Sequence, residues 1–306
     1  MAAEGSFFCR MKNKYLTKCL CITSPELNAV QVRNYQEACS LAGFPEEKYM
    51  LMDYGESFYY YALGQKRETW NRSVGWYAFS GDTVDFRKLT INGASRPVLV
   101  KLEDPVSTKL DPENEIRDVE FCRFVSKTLG KELFSSVQIT GKGFDQQWAQ
   151  QSVKILCHQG RKVFYGNNLF AKGACIAVKD RLEDRKLKGY RYLSDSLVVA
   201  DVGMDMRVMG SPAYYPLIEG GSNWYECSAG CELILDDTKE LVFTVSLPDE
   251  TEKKRVAMAL DGLPERPNRT TRLALTLKYV SPKECEVTVR DLGSVSYTHL
   301  RAHETL

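Results

Sequence analysis

The chain has 306 residues, 43% of them hydrophobic and 26% charged, enough to bury a substantial core and to build two domains of ordinary size. Lys and Arg number 41 against 40 for Asp and Glu, so no net field draws the molecule to nucleic acid or to an anionic membrane. No apolar run reaches the roughly 18 residues of a membrane-spanning helix.

The ten cysteines are scattered and follow no secretory leader, so a reducing cytoplasm is expected. Cys19 with Cys21, and Cys227 with Cys231, could each offer two metal ligands, but outside the tail the only histidine is His158. Inert or buried thiols are the better reading, with no metal site.

In chain order, residues 1–17 form a mixed lead-in, and Leu20-Cys21-Ile22 reads as a strand. Ser24-Pro25-Glu26 then predicts a capped helix start, with Leu27, Val30, Tyr35, Ala38, Cys39 and Ala42 as the apolar face and Gly43 as the stop. Tyr49 to Met52 reads as a short strand, and Glu56 to Gln65 as a helix with an aromatic face. Val74 to Phe79 and Thr83 to Ile91 flank Ser80-Gly81-Asp82, a strand-turn-strand signal. A strand at Val98–Val100, a loop over 104–115 and a helix over 116–129 follow. A strand at 136–140, a glycine turn over 141–143 and a helix from about 145 to 157 complete the alternation, which implies a sheet with helical cover. Residues 181–194 are strongly charged and read as a linker. Beyond Asp195 short alternating runs take over, at Leu241–Val245, Leu273–Leu277 and Glu286–Val289, predicting an all-β domain over 195–293.

Three motifs in residues 18–180 resemble the second half of the nucleotide-binding domain of actin and the seventy-kilodalton heat-shock chaperones. The first is Cys21-Ile22-Thr23-Ser24-Pro25 with its helix ending at Ala42-Gly43, followed by Glu56 heading the aromatic helix. The second, Tyr77-Ala78-Phe79-Ser80-Gly81-Asp82-Thr83-Val84-Asp85, is similar to the Asp-Leu-Gly-Gly-Gly-Thr hairpin that receives nucleotide phosphates. The third is Ser136 to Phe144 with Trp148, and later Leu169-Phe170-Ala171-Lys172-Gly173-Ala174-Cys175, which resembles the family's glycine-ended strand beside the adenosine and the helix packed behind it. Asp195 to Val202 resembles the chaperones' interdomain linker. Leu260-Asp261-Gly262-Leu263-Pro264 and Cys285 to Asp291 resemble parts of their peptide-binding sandwich. Together with Lys162-Val163-Phe164 and Asn168-Leu169, the combination resembles an uncharacterised bacterial family with a chaperone-like layout.

The resemblance implies a fold of α/β plus all-β type, a partial actin-like ATPase domain followed by a chaperone-like β-sandwich. It implies Gly81, Thr83, Gly141 and Gly143 as nucleotide-binding positions, and ATP or ADP with magnesium as cofactor in the full-length protein. Where the family has an acid that organises magnesium, this chain has Ala78, and Asp82 brings a negative charge to the place where a phosphate docks. The expectation is therefore a degenerate, non-catalytic protein that binds a peptide or protein client, with at most regulatory nucleotide binding. A client would lie as an extended strand in an apolar groove, held by backbone hydrogen bonds. Met204, Met206, Met209, Tyr214 and Tyr215 are candidates for that groove, although their residue types favour core filling. The alternatives are a magnesium-dependent ATPase completed by upstream residues and an assembly-forming actin-like protein.

Residues 294–306 are expected to be non-native: Val295 to Thr305 resembles a translated sequencing adaptor, so His299 and His303 are set aside and the native protein is expected to continue past Gly293. The front is expected to lack the subdomain that carries the first phosphate loop.

Overall fold

A computed structural model describes residues 18–166, 168–236, 238–248 and 252–294. The lead-in, residues 1–17, lies outside them, as do residues 295–306 of the tail expected at 294–306. The chain divides into two compact units between Ser194 and Asp195.

In the first unit, strands β1 (Leu20–Ser24) and β2 (Tyr49–Asp53) are parallel and joined through helix α1 (Ala29–Leu41). The helix starts later than Ser24-Pro25 predicts. Ser24 ends β1 and is buried, while Asn28 and Gln31 form a capping box: the Gln31 N–H donates to Asn28 Oδ1 at 2.9 Å, and the Asn28 N–H to Gln31 Oε1 at 3.0 Å. Two end groups satisfied reciprocally outweigh a Ser-Pro start. The predicted apolar face also shifts, because Val32 and Cys39 are buried while Val30 and Leu41 face solvent. Asp53 caps helix α2 (Tyr54–Leu63), accepting from the Glu56 N–H at 2.7 Å.

The main sheet follows. Strands β3 (Ser73–Ser80), β4 (Thr83–Asn92) and β5 (Val98–Leu102) form an antiparallel meander, and β6 (Val106–Lys109) pairs with the start of β4. The sequence reads 104–115 as loop, since four residues with one apolar side chain carry no periodicity; pairing with β4 makes them a strand. Helix α3 (Asn114–Leu129) leads to β7 (Phe134–Lys142), and helix α4 (Gln150–Leu156), much shorter than expected, leads to β8 (Lys162–Tyr165). Helix α5 (Leu169–Lys179) runs into a wider turn over Asp180–Asp184, and β9 (Tyr190–Leu193) returns to the sheet beside β5. Residues 190–193 are thus sheet rather than charged linker. The order is β8-β7-β3-β4-β5-β9, with β7, β8 and β9 each parallel to the strand they join.

Alternation along β3 sends its side chains to two covered faces. Tyr77 and Phe79, with Val84 and Phe86 of β4, pack against Phe121, Phe124, Val125 and Leu129 of α3 and Leu156 of α4. Trp76 points the other way, stacked on Phe58 of α2 and edge-on to Phe170 of α5, and its indole N–H donates to Thr140 Oγ1 at 2.8 Å.

In the second unit, β10 (Leu197–Val198) pairs with β13 (Ser222–Asn223), so the stretch resembling a linker is paired at its centre, with Leu197 and Val198 buried. Between them, β11 (Asp201–Val208) and β12 (Ser211–Ile218) form a hairpin. Strands β14 (Ser228–Ile234), β15 (Glu240–Ser246), β16 (Lys254–Ala259), β17 (Thr271–Ser281) and β18 (Glu284–Ser294) complete two antiparallel sheets, β12-β11-β15-β16 and β14-β17-β18. Leu273, Leu275, Leu277 and Tyr279 alternate into the interior from β17, as Val202, Met204, Leu241 and Phe243 do from the other sheet. A mixed α/β unit is therefore followed by a separate all-β unit. No helix among the described residues is long and apolar enough to cross a membrane.

Candidate functional site

The β3–β4 turn, at the place of the expected phosphate hairpin, is built from three directions. Gly81 takes positive φ (63°) as the turn requires, and its N–H donates to the Lys142 carbonyl at 2.9 Å. The Asp82 carbonyl accepts from the Leu110 N–H at 2.8 Å. From the first turn of α3, Arg117 lays a buried guanidinium against the same turn: Nη2 donates to the Gly81 carbonyl at 2.6 Å and Nη1 to Asp82 Oδ1 at 2.9 Å. The guanidinium carbon stands 5.0 Å from the ring centroid of Trp148, whose indole N–H donates to the Gly143 carbonyl at 3.2 Å.

Gly141 and Gly143 meet protein backbone. Gly141 lies within β7 rather than in a turn, with φ at 93°, and a Cβ there would stand 1.9 Å from the Phe79 carbonyl oxygen. A Cβ at Gly143, φ 123°, would stand 2.2 Å from the Gly81 carbonyl oxygen. The close approach these glycines permit is thus of one strand end to the next turn. Thr83 is exposed at the start of β4, opposite Ser80 and Lys109. Asp85, opposite Ala78, accepts from Ser107 Oγ at 2.5 Å. Gly173 packs against α2: a Cβ there would meet the Ser57 carbonyl oxygen at 2.0 Å, and Ser57 Oγ donates to the Phe170 carbonyl at 2.6 Å.

These residues do not fit a magnesium nucleotide. The Gly81 amide is committed to Lys142, Arg117 and Asp82 neutralise each other where a phosphate would need the cation, and the acid expected at Ala78 is missing. Among the described residues no three His, Cys, Asp or Glu side chains converge as a metal site, and no disulfide joins the described cysteines. Arg117 is the residue that motif reading misses. Its signal is a cation in a first helical turn, where the helix end is itself positive.

The second unit holds a different feature. Beyond the Met204–Phe243 pair β11 leaves β15, and Asp205–Val208 pairs only with Ser211–Tyr214, a two-stranded ribbon. Its turn is Met209-Gly210, both at positive φ (50° and 83°). Such turns favour Asn, Asp or Gly, yet Met209 is fully exposed there. Val208, Tyr214 and Tyr215 are also exposed; of the five residues expected to fill core, Met204 does so and Met206 is half-buried. Tyr214 lies over Gly203, where a Cβ would meet its ring at 2.4 Å, and Lys253 sits 5.3 Å from its centroid. Burial, then Asp201 and Asp205, push the Tyr214 phenol up, so it stays neutral. β12 is an edge strand carrying Pro212 and Pro216, which have no N–H to give a further strand. Its edge therefore resists the backbone pairing expected of a client, and side chains are what it presents.

Residues 6–195 match the C-terminal part of the family of unknown function DUF5716, and residues 197–294 match DUF8552, a domain of unknown function. No curated protein matches the chain. Among solved structures, the Thermus thermophilus RuvC structure is 14% identical, with 31% of this chain and 63% of that one covered and a TM-score of 0.25. T. thermophilus RuvC in complex with Holliday junction substrate is 13% identical, over 31% and 66%, at 0.24. A Bacteroides thetaiotaomicron protein with actin-like ATPase fold and unknown function is 14% identical, over 47% and 50%, at 0.28. The chain thus spans less than two thirds of each, and likenesses of this size are distant and carry no argument about activity. By its match over residues 6–195, the chain belongs to DUF5716, a family of unknown function.

Proposed function

We propose that this chain is a polypeptide-binding protein rather than an ATP-hydrolysing enzyme, with the α/β unit as scaffold and the β11–β12 ribbon as the recognition element. The observation that carries the reading is Met209, a large apolar side chain fully in solvent at a left-handed turn position. It costs the free protein both conformational and hydration free energy, an expense that contact with a partner offsets. Val208 and Tyr215 on one face of the ribbon and Tyr214 on the other add exposed apolar area, and aromatic side chains with few rotamers are effective contact groups. Pro212 and Pro216 favour side-chain over backbone recognition, which suits an apolar segment of a protein client.

The experiment is fluorescence anisotropy of the chain with labelled aromatic-apolar peptides. Met209→Asn is expected to stabilise the turn by about 1 kcal/mol, since Asn tolerates the left-handed region. The same variant, and Tyr214→Ser with Tyr215→Ser, should weaken peptide binding roughly tenfold or more, or about 1.4 kcal/mol. Unchanged affinity in both variants would overturn the reading, as would the absence of binding by the parent chain.

A further inference from the structure

We infer that Arg117 is the cation of an oxyanion site whose resident anion is this chain's own Asp82 carboxylate. Three observations carry this, none of them from the β unit. First, the guanidinium is buried and lies in the first turn of α3, where the unsatisfied helix N–H groups already favour negative charge. A cation there is at odds with its helix and needs an anion beside it. Second, Asp82 meets that need incompletely. One carboxylate oxygen takes one N–H at 2.9 Å, the second terminal nitrogen is bonded to the neutral Gly81 carbonyl, and Nε is buried with no hydrogen-bond partner. A guanidinium offers five N–H groups in a fork suited to tetrahedral or planar oxyanions, and this one is left partly unused. Third, the site is reachable. The Asp82 side chain is 42% exposed, and nothing lies within 4 Å of a Cβ built on Gly81.

The physical consequence is a competition. While Asp82 is present, an incoming phosphate or sulfate must displace a tethered carboxylate of like charge, whose effective concentration beside Arg117 is high. Without the carboxylate, Arg117 becomes a buried, partly unpaired cation, which is strongly destabilising until an anion arrives. The chain thus carries a self-occupied anion site: closed to free phosphate as it stands, and opened by the loss of one side chain.

The test is thermal unfolding of the full chain in sodium phosphate against sodium chloride at matched ionic strength, so that screening is equal. The parent chain should show no saturable shift with phosphate. Asp82→Ala should melt lower than the parent in chloride and be restored saturably by phosphate, at concentrations roughly tenfold or more below any at which the parent responds. Asp82→Asn, which keeps the side-chain volume without the charge, is read in the same way if the alanine variant does not fold in chloride. Sulfate should substitute for phosphate, and Asp82→Ala combined with Arg117→Met should lose the rescue. Rescue that survives Arg117→Met, a parent chain that binds phosphate as tightly as Asp82→Ala, or the absence of phosphate rescue in both Asp82 variants would each overturn the inference.

Discussion

Gly143 stands so close to Gly81 that a Cβ on the former would lie 2.2 Å from the carbonyl oxygen of the latter. The end of β7 and the β3–β4 turn touch backbone to backbone, and Arg117 then seals the turn from the α3 side. Gly141→Ala and Gly143→Ala should each cost about 3 kcal/mol or more in urea unfolding, through both clash and left-handed strain. Gly81→Ala meets open space and only the strain of positive φ, so a loss of about 1 kcal/mol is expected. Equal losses at all three positions would contradict the packing described.

Asp118 ties α3 to α4. Buried on α3, it accepts from the backbone N–H of Gln151 and Ser152 at 2.8 and 3.0 Å and from Ser152 Oγ at 2.6 Å. Asp118→Ala would take the acceptor from the buried Ser152 N–H and from the Gln151 N–H, while Ser152 Oγ keeps the Asp118 backbone carbonyl at 3.1 Å, and should cost about 2 kcal/mol; Asp118→Asn, which keeps an acceptor, should cost less. Urea unfolding of the two variants measures the difference.

Much of this architecture is legible in the residues. The Ser80-Gly81-Asp82 turn between alternating runs places β3 and β4, and the change from mixed spacing to alternation near Asp195 places the all-β unit. The remainder depends on what the residues meet. β6 has too few apolar positions to announce itself and exists because β4 has an edge to fill. Gly141 and Gly143 are visible as glycines needing room, but only the fold shows that the room is taken by Phe79 and Gly81 rather than by a ligand. Met209 and Tyr214 read as core by residue type, because composition cannot reveal that β11 leaves β15 after Met204.

The Arg266–Asp291 pair gives a pH dependence. Two N–H···O bonds of 2.8 and 2.7 Å hold the Asp291 carboxyl below the usual carboxylate range, the Arg266 hydrogen bonds being the main cause and the Gly293 N–H adding to them. A depressed folded-state pKa contributes stability that is full above the unfolded value, about 4, and is lost as pH falls through the folded one. The Tm deficit of Arg266→Gln relative to the parent should therefore be largest near neutrality and shrink as pH is lowered below about 4. A deficit that is constant with pH would remove the electrostatic account.

Thiol reactivity should follow exposure. Cys157 and Cys175 are exposed, whereas burial pushes the Cys39 thiol up to about 11, and burial is likewise the main cause that takes Cys227 to about 11. Among the described cysteines, timed iodoacetamide labelling at neutral pH, read by mass spectrometry, should modify Cys157 and Cys175 first and Cys39 and Cys227 only on unfolding. Early labelling of Cys39 would contradict its burial.

Hydrogen–deuterium exchange on the whole chain, with an aromatic-apolar peptide in one arm and magnesium ATP in the other, tests the central claim most directly. The account predicts protection of the ribbon over residues 205–217 by the peptide and no change at 78–83 or 141–143 with magnesium ATP. Protection of the 78–83 turn by magnesium ATP, with the ribbon unaffected by peptide, would contradict it.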